Sequence, residues 1–241
     1  MRCLLALVAL VSLASCYDLD KLRASTSSRC VGLPLQLCEG FETGALASRW
    51  TPALAGATLA IDGNFAYRGT HSLRVDAPLS AGPTVQAEIT EHDTFPASDF
   101  FMRAFLYLPA ATPPAPLRVM TPFQTTPPLT GIAFYVVPTS SGFSPRISDS
   151  IGHQTYDTLM PSFATDRWVC LEWELFVGTP GQVHVWVDDV EYTDLALRFD
   201  TMTSPPFGTL AFGLLRQGAA PAHSLWLDEL AVDTQRITCA R

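Results

Sequence analysis

An all-β fold, a jelly-roll sandwich of two antiparallel sheets, is what this 241-residue sequence predicts, on three observations. Apolar residues recur at every second position in several segments, the period of a strand with one buried face. Nineteen prolines and 15 glycines are scattered between those segments as turn signals. No segment sustains the 3.6-residue period of an amphipathic helix.

The elements follow in chain order. Met1 and Arg2 open a short basic region, and Cys3 to Leu13 is an apolar run of signal-peptide length. Leu13-Ala14-Ser15-Cys16 then resembles a bacterial lipobox, so residues 1–15 are expected to be removed and Cys16 to carry lipid. Tyr17, not Asp, follows that cysteine. This points to an exported, lipid-anchored protein of a Gram-negative outer membrane. Residues 16–33 read as a flexible tether reaching on the order of 20–25 Å. Residues 34–241 read as one β domain, with no boundary inside.

Within that domain, Thr84 to Thr90 places Val85, Ala87 and Ile89 on one face and Gln86, Glu88 and Thr90 on the other. Phe100 to Leu108 places Met102, Ala104, Leu106 and Leu108 against Phe101, Arg103, Phe105 and Tyr107. Val169 to Val177 sets Val169, Leu171, Trp173, Leu175 and Val177 against Cys170, Glu172, Glu174 and Phe176. Val183 to Val187 and Val190 to Leu197 flank Asp188-Asp189, a hairpin turn. Gly208 to Leu215 and Ser224 to Asp233 supply two late strands. Pro109 to Pro116, Pro127-Pro128, Pro138 to Pro145 and Ser204 to Phe207 read as connections.

Charge and cysteine content exclude several functions. The net charge is −8 and Lys21 is the only lysine, which argues against a nucleic-acid binder. Past the N-terminus no apolar run reaches the roughly 18 residues of a membrane helix. Beyond Cys3 and Cys16, four cysteines remain, and in an exported chain they imply two disulfides with three pairings open. The expected pairing is Cys38–Cys170 with Cys30–Cys239, the latter tying the ends of the domain. Zinc-site spacings are absent, as are a nucleophile elbow, a Walker loop and a His-Glu-x-x-His run.

Three segments carry a family resemblance. They are Leu37-Cys38-Glu39-Gly40-Phe41-Glu42 followed by Trp50, Tyr67 to Val75 with Gly69, Ser72 and Leu73, and Leu225 to Val232 with Asp228 and Glu229. With Arg167 to Trp173 and Val185 to Asp189, their order resembles the concanavalin A-like lectin/glucanase superfamily, in the branch of laminin G-like and glucuronan lyase-like domains. The resemblance implies carbohydrate recognition in a groove of the jelly roll. Polysaccharide cleavage in the same groove, by a lyase sooner than a hydrolase, and a structural envelope protein with a protein partner are the alternatives. It also implies a structural Ca²⁺, with Glu42 and Asp228 as acids and carbonyls from Gly69 to His71.

The candidate glycan-binding residues are Gln86, Glu88, Arg103, Tyr107, Tyr135, Glu172 and Glu174. For a lyase, His153 and Tyr156 would move the proton and Arg103 would neutralise the uronate carboxylate. For a hydrolase, Glu172 and Glu174 share a strand face, but the next same-face position is Phe176 and the third acid of the laminarinase-like pattern is missing. His71, His92, His184 and His223 read as structural or exposed. The acidic charge favours a neutral glycan, or a protein partner, over an acidic glycan.

Overall fold

A computed structural model describes residues 27–30, 33–79, 84–92, 99–112, 115–124, 131–150, 154–178, 180–199 and 207–240. Among these residues sixteen strands form two antiparallel sheets packed face to face. In chain order they are β1 (Leu37–Glu39), β2 (Thr51–Ala55), β3 (Thr58–Asp62), β4 (Ser72–Ala77), β5 (Thr84–Glu91), β6 (Asp99–Tyr107), β7 (Leu117–Gln124) and β8 (Ile132–Thr139). There follow β9 (Gly142–Asp149), β10 (Gln154–Asp157), β11 (Trp168–Phe176), β12 (Gly181–Val187), β13 (Val190–Glu191), β14 (Leu197–Phe199), β15 (Phe207–Gln217) and β16 (His223–Asp233).

The first sheet runs β13-β12-β11-β6-β16-β4-β3, with β1 added beside β16 and β14 beside β12. The second runs β10-β9-β8-β7-β15-β5-β2. The alternating apolar residues read from the sequence meet between the sheets. Met102, Ala104, Leu171, Trp173 and Leu175 of the first sheet are fully buried, as are Ala87, Ile89, Phe134 and Phe212 of the second. Trp173 and Phe134 meet across the gap edge to face, with ring centroids 5.7 Å apart. At the Asp188-Asp189 turn both residues have positive φ, 51° and 67°, as a two-residue hairpin with right-handed twist demands.

The structure departs from the sequence reading at four places. Val190 to Leu197 is not one strand: β13 ends at Glu191, a 3-10 turn spans Thr193–Leu195, and β14 begins at Leu197. Pro138 and Pro145 stand inside β8 and β9, and only Ser140 and Ser141 connect the two. β7 pairs with β8 no further than Val136, and β10 pairs with β9 no further than Arg146. Each proline therefore sits beyond the end of a neighbouring strand, where a missing N–H breaks no ladder bond.

The disulfides are Cys30–Cys38 and Cys170–Cys239, not the expected pairs. Cys38 lies on β1 opposite Ala231 of β16, and β6 separates β16 from the β11 strand of Cys170. At about 4.8 Å per strand spacing, Cys38 is too far from Cys170 for a bridge, whose Cα atoms stand about 4.4–6.8 Å apart.

The folded body also begins before Pro34. Ser28 is buried, and the Arg29 backbone N–H donates to both oxygens of Glu229, at 2.9 and 2.8 Å. The Cys30–Cys38 and Cys170–Cys239 bridges thus pin both terminal segments over the outer face of the first sheet. A small second apolar cluster of Phe101, Trp186, Ala231 and Ile237 forms beneath them.

Candidate functional site

The two sheets offer two outer faces, and the residues singled out from sequence divide between them. On the first sheet, Arg103 and Glu172 are fully buried under the C-terminal segment. Arg103 donates to the Thr238 carbonyl at 2.9 Å. Glu172 accepts the N–H groups of Ile237 and Thr238 at 2.8 and 2.9 Å and pairs with Arg236 at 3.1 Å. Tyr107 and Glu174 are half-buried on the same face. Tyr107 stands in a row with Trp168 and Trp226, and the Phe65 ring covers all three. Arg103, Tyr107, Glu172 and Glu174 therefore cannot share a groove with Gln86, Glu88 and Tyr135, which belong to the other sheet. Alternation places a residue inside or outside a sandwich, but it does not say on which of two outer faces.

Of the proton-transfer candidates, Tyr156 turns toward the interior. It pairs with inward Ile147 and packs edge to face on Phe199 at 5.5 Å. Burial raises its phenol above the ordinary value of 10.0. His153 lies outside the described residues.

The outer face of the second sheet is different. Cross-strand register puts Asp157, Arg146, Tyr135, Arg118, Leu215, Gln86 and Ala55 in one line, one residue from each of seven strands. Two depressions flank the central Arg118–Tyr135 pair. One, of about 490 Å³, is lined by Gln86, Glu88, Thr90, His92, Arg118, Phe123 and Thr209. The other, of about 240 Å³, is lined by Pro116, Tyr135, Arg146, Ser148, Thr155 and Gln217. Together they form a shallow groove of polar and aromatic side chains.

Local irregularities build it. β7 and β15 both slip register beside Arg118, so that Arg118 turns outward while Met120 turns into the core. Gly213 lies opposite Glu88 with φ 146°, and a Cβ there would stand 2.3 Å from the Ala87 carbonyl oxygen. Only glycine lets β5 come so close and sink Glu88 into the groove floor. Glu88 is 1% exposed. Its Oε1 accepts from Arg118 Nε at 3.0 Å, and its Oε2 accepts from Arg118 Nη2 and Gln86 Nε2 at 2.8 and 2.7 Å. The far face of the Arg118 guanidinium lies 5.0 Å from the Phe123 ring centroid. Carboxylate and ring thus hold the guanidinium in one place.

On the other side of Tyr135, Arg146 is paired with Asp157 at 2.5 Å. Burial raises the Tyr135 phenol above 10.0, with Arg118 pulling the other way, so the group stays a protonated donor at neutral pH. At the far end of the groove, His92 Nδ1 meets Thr209 Oγ1 at 2.9 Å. Arg118 and Arg146 were not singled out from sequence, and His92 was read there as structural or exposed. A bulge breaks the alternation around Arg118, and Pro145 disguises the strand of Arg146.

The residues expected to hold calcium face one loop. Glu42 accepts N–H bonds from Thr70, at 3.0 and 3.1 Å, and from His71 at 3.3 Å. Asp228, fully buried, accepts from Tyr67 and Arg68 at 2.8 and 3.2 Å and from Glu229 at 2.7 Å. Gly69, with φ 68°, leaves the space that Glu42 fills, since a Cβ there would stand 2.1 Å from its Oε1. Among the described residues, the two acids accept from backbone N–H groups and the Thr70 hydroxyl. Among the described residues no group of three or more His, Cys, Asp or Glu comes together for a metal. Both acids expected to hold calcium are thus engaged by N–H groups of one loop, and carboxylate is the kind of oxygen donor that Ca²⁺ takes.

Solved structures show the same architecture. Cellulose induced protein, Cip1, superposes with a TM-score of 0.66 at 17% identity, over 84% of this chain and 99% of that one. The endo-β-1,4-glucuronan lyase of the fungus Trichoderma reesei gives 0.63 at 12% identity, over 83% and 96%. The alginate lyase vAL-1 from Chlorella virus gives 0.57 at 12% identity, over 78% and 93%. The fold is a concanavalin A-like jelly roll. At such low identities the likeness carries the fold alone. No protein-family profile matches the chain, and no curated protein matches it.

Proposed function

We propose that this protein binds a polysaccharide along the groove on the outer face of the second sheet. The observation that carries the reading is the line Arg146–Tyr135–Arg118–Leu215–Gln86, which crosses five strands at one level. An extended glycan needs such a track: a ring to lie on, and donors fixed in advance so that little entropy is lost on binding. Tyr135 supplies the ring and a hydroxyl donor, and Glu88 fixes Arg118 and Gln86. Although each is already paired with an acid, Glu88 or Asp157, the two arginines line the track with guanidinium groups, and we read this as favouring sugars that carry carboxylates, against the neutral glycan that net charge alone suggests. The fold's occurrence in a glucuronan lyase and an alginate lyase supports the same direction.

A lyase acting in this groove is the second reading, favoured by Tyr135 standing between two arginines with His92 at the groove's end. The protonated phenol of Tyr135 counts against it as a ready base, and we rank binding first. Affinity electrophoresis against uronate and neutral polysaccharides, with absorbance of unsaturated products followed in parallel, separates the two. Retardation without new absorbance supports binding. New absorbance makes the protein a lyase, and neither result removes both readings.

We further propose lipid anchoring through Cys16 in an outer membrane, tested by palmitate labelling that Cys16→Ser abolishes. We propose Ca²⁺ as a structural ion at Glu42 and Asp228, where it would neutralise the two acids and take no part in chemistry. A calcium-specific rise in Tm, absent with Mg²⁺ and lost in Asp228→Asn, tests it.

A further inference from the structure

On the outer face of the first sheet, an aromatic patch stands beside the terminal segments and takes no part in the glycan groove. Trp168, Tyr107 and Trp226 form one cross-strand line on β11, β6 and β16, and all three are half-buried. The connection between β3 and β4 lays Phe65 over them, with ring centroids 5.5, 4.6 and 5.2 Å away, and stacks Tyr67 on Phe105 at 3.8 Å. Phe65 and Tyr67 each keep part of their surface in water. Arg68 lies over Tyr67 at 5.7 Å and Arg74 over Trp226 at 5.5 Å. The bordering acids are engaged. Asp62 accepts from Trp226 Nε1 at 2.8 Å, Asp76 pairs with Arg74 at 2.8 Å and Asp188 pairs with Arg167 at 2.7 Å. Asp166 accepts the Ala110 N–H at 2.8 Å. Trp and Tyr, apolar rings with a polar atom at the rim, are the side chains that settle at the headgroup level of a bilayer.

The chain enters the folded body at this same patch. Ser28 is buried and bonds to Glu229. Arg29 carries its guanidinium 5.5 and 5.1 Å from the ring centroids of Tyr67 and Phe105 and donates to the Tyr67 hydroxyl at 3.2 Å. Ten residues, 17–26, separate Cys16 from Ser27. A tether of that length averages about 18 Å end to end. Two packed sheets with their outer side chains are about 25 Å thick. An anchor on Cys16 therefore holds the side of the first sheet, and not the groove side, nearest the bilayer.

We propose that the patch of Phe65, Tyr67, Tyr107, Trp168 and Trp226 docks on the phospholipid surface to which Cys16 anchors the chain. The inference rests on the lipid anchor proposed above. Because the sheets pack face to face, docking there turns the groove of the second sheet away from the membrane, open to a polymer. The test places the lipidated protein in vesicles of phosphatidylethanolamine and phosphatidylglycerol, with and without brominated acyl chains, and reads tryptophan emission and co-flotation. Of the five tryptophans, Trp50, Trp173 and Trp186 are buried, so quenching by bromine reports on Trp168 and Trp226. The expected result is loss of their emission in brominated vesicles. Trp168→Phe/Trp226→Phe should abolish the quenching, and Phe65→Glu should remove most of it, while both variants still float with the vesicles. Flotation of the palmitate-labelled parent without quenching, or quenching that persists in Trp168→Phe/Trp226→Phe, overturns the docking and leaves the anchor standing. Absence of both palmitate label and flotation overturns the anchor and the docking together.

Discussion

Replacing Glu88 by glutamine separates what the groove needs from what the fold needs. The wild-type carboxylate is 1% exposed and makes two bonds to Arg118 and one to Gln86. Removing one partner of a buried ion pair costs about 3–5 kcal/mol. Two features of the site reduce this. The Arg118 side chain keeps 13% of its surface in water, and glutamine retains one acceptor oxygen. The expected loss is about 2 kcal/mol, equivalent to a fall in Tm of about 4–8 °C for a chain of this size. Freed from Glu88, Arg118 loses its fixed place beside Tyr135, and affinity for a uronate polymer should drop about tenfold, or 1.4 kcal/mol. The double variant Glu88→Met/Arg118→Met removes both charges together and should recover most of the stability while binding nothing. Urea titrations followed by tryptophan fluorescence give the first quantity and affinity electrophoresis the second. If Glu88→Gln changes neither, or if the double variant is no more stable than Glu88→Gln, the account of the groove floor is wrong.

Three further outcomes follow from the same structure. Tyr135→Phe keeps the ring and removes the hydroxyl, so affinity should fall a fewfold, whereas Tyr135→Ala should fall by more than tenfold in the same electrophoresis assay. Cys170→Ser/Cys239→Ser opens a bridge spanning 69 residues, which loop-closure entropy values at about 4 kcal/mol, and the urea midpoint should shift accordingly. His223 has a depressed folded-state pKa, so its contribution to stability is full above the unfolded value of 6.5 and is lost as pH falls through the folded value. Subtracting the pH profile of His223→Gln from that of the parent should leave a difference that declines only on the acid side, as read by urea midpoints from pH 4.5 to 8.

Which of these features the sequence discloses has a physical logic. Strands with unbroken alternation, such as Phe100–Leu108 and Val169–Val177, announce both their type and their inward faces, and Gln86, Glu88 and Tyr135 come out on the correct outer side. Sheet membership is set by long-range pairing, which no local period records. Arg103 and Glu172 were therefore grouped with residues from the opposite sheet. Terminal segments that fold back over a strand leave no trace in its pattern either, and Glu172 passes for a solvated acid until Ile237 and Thr238 are seen above it. Arg118 escaped notice because a bulge shifts it by one position, the displacement that turns a side chain from core to groove.

The central claim is that polysaccharide binds the second sheet and not the first. Affinity electrophoresis of the protein on a uronate polymer should be run with Arg118→Ala and Tyr135→Ala beside Tyr107→Ala and Trp168→Ala. Loss of retardation in the first pair, with the second pair migrating like the parent, is the result predicted here. Retention in the first pair and loss in the second would place the site on the opposite face and contradict the account.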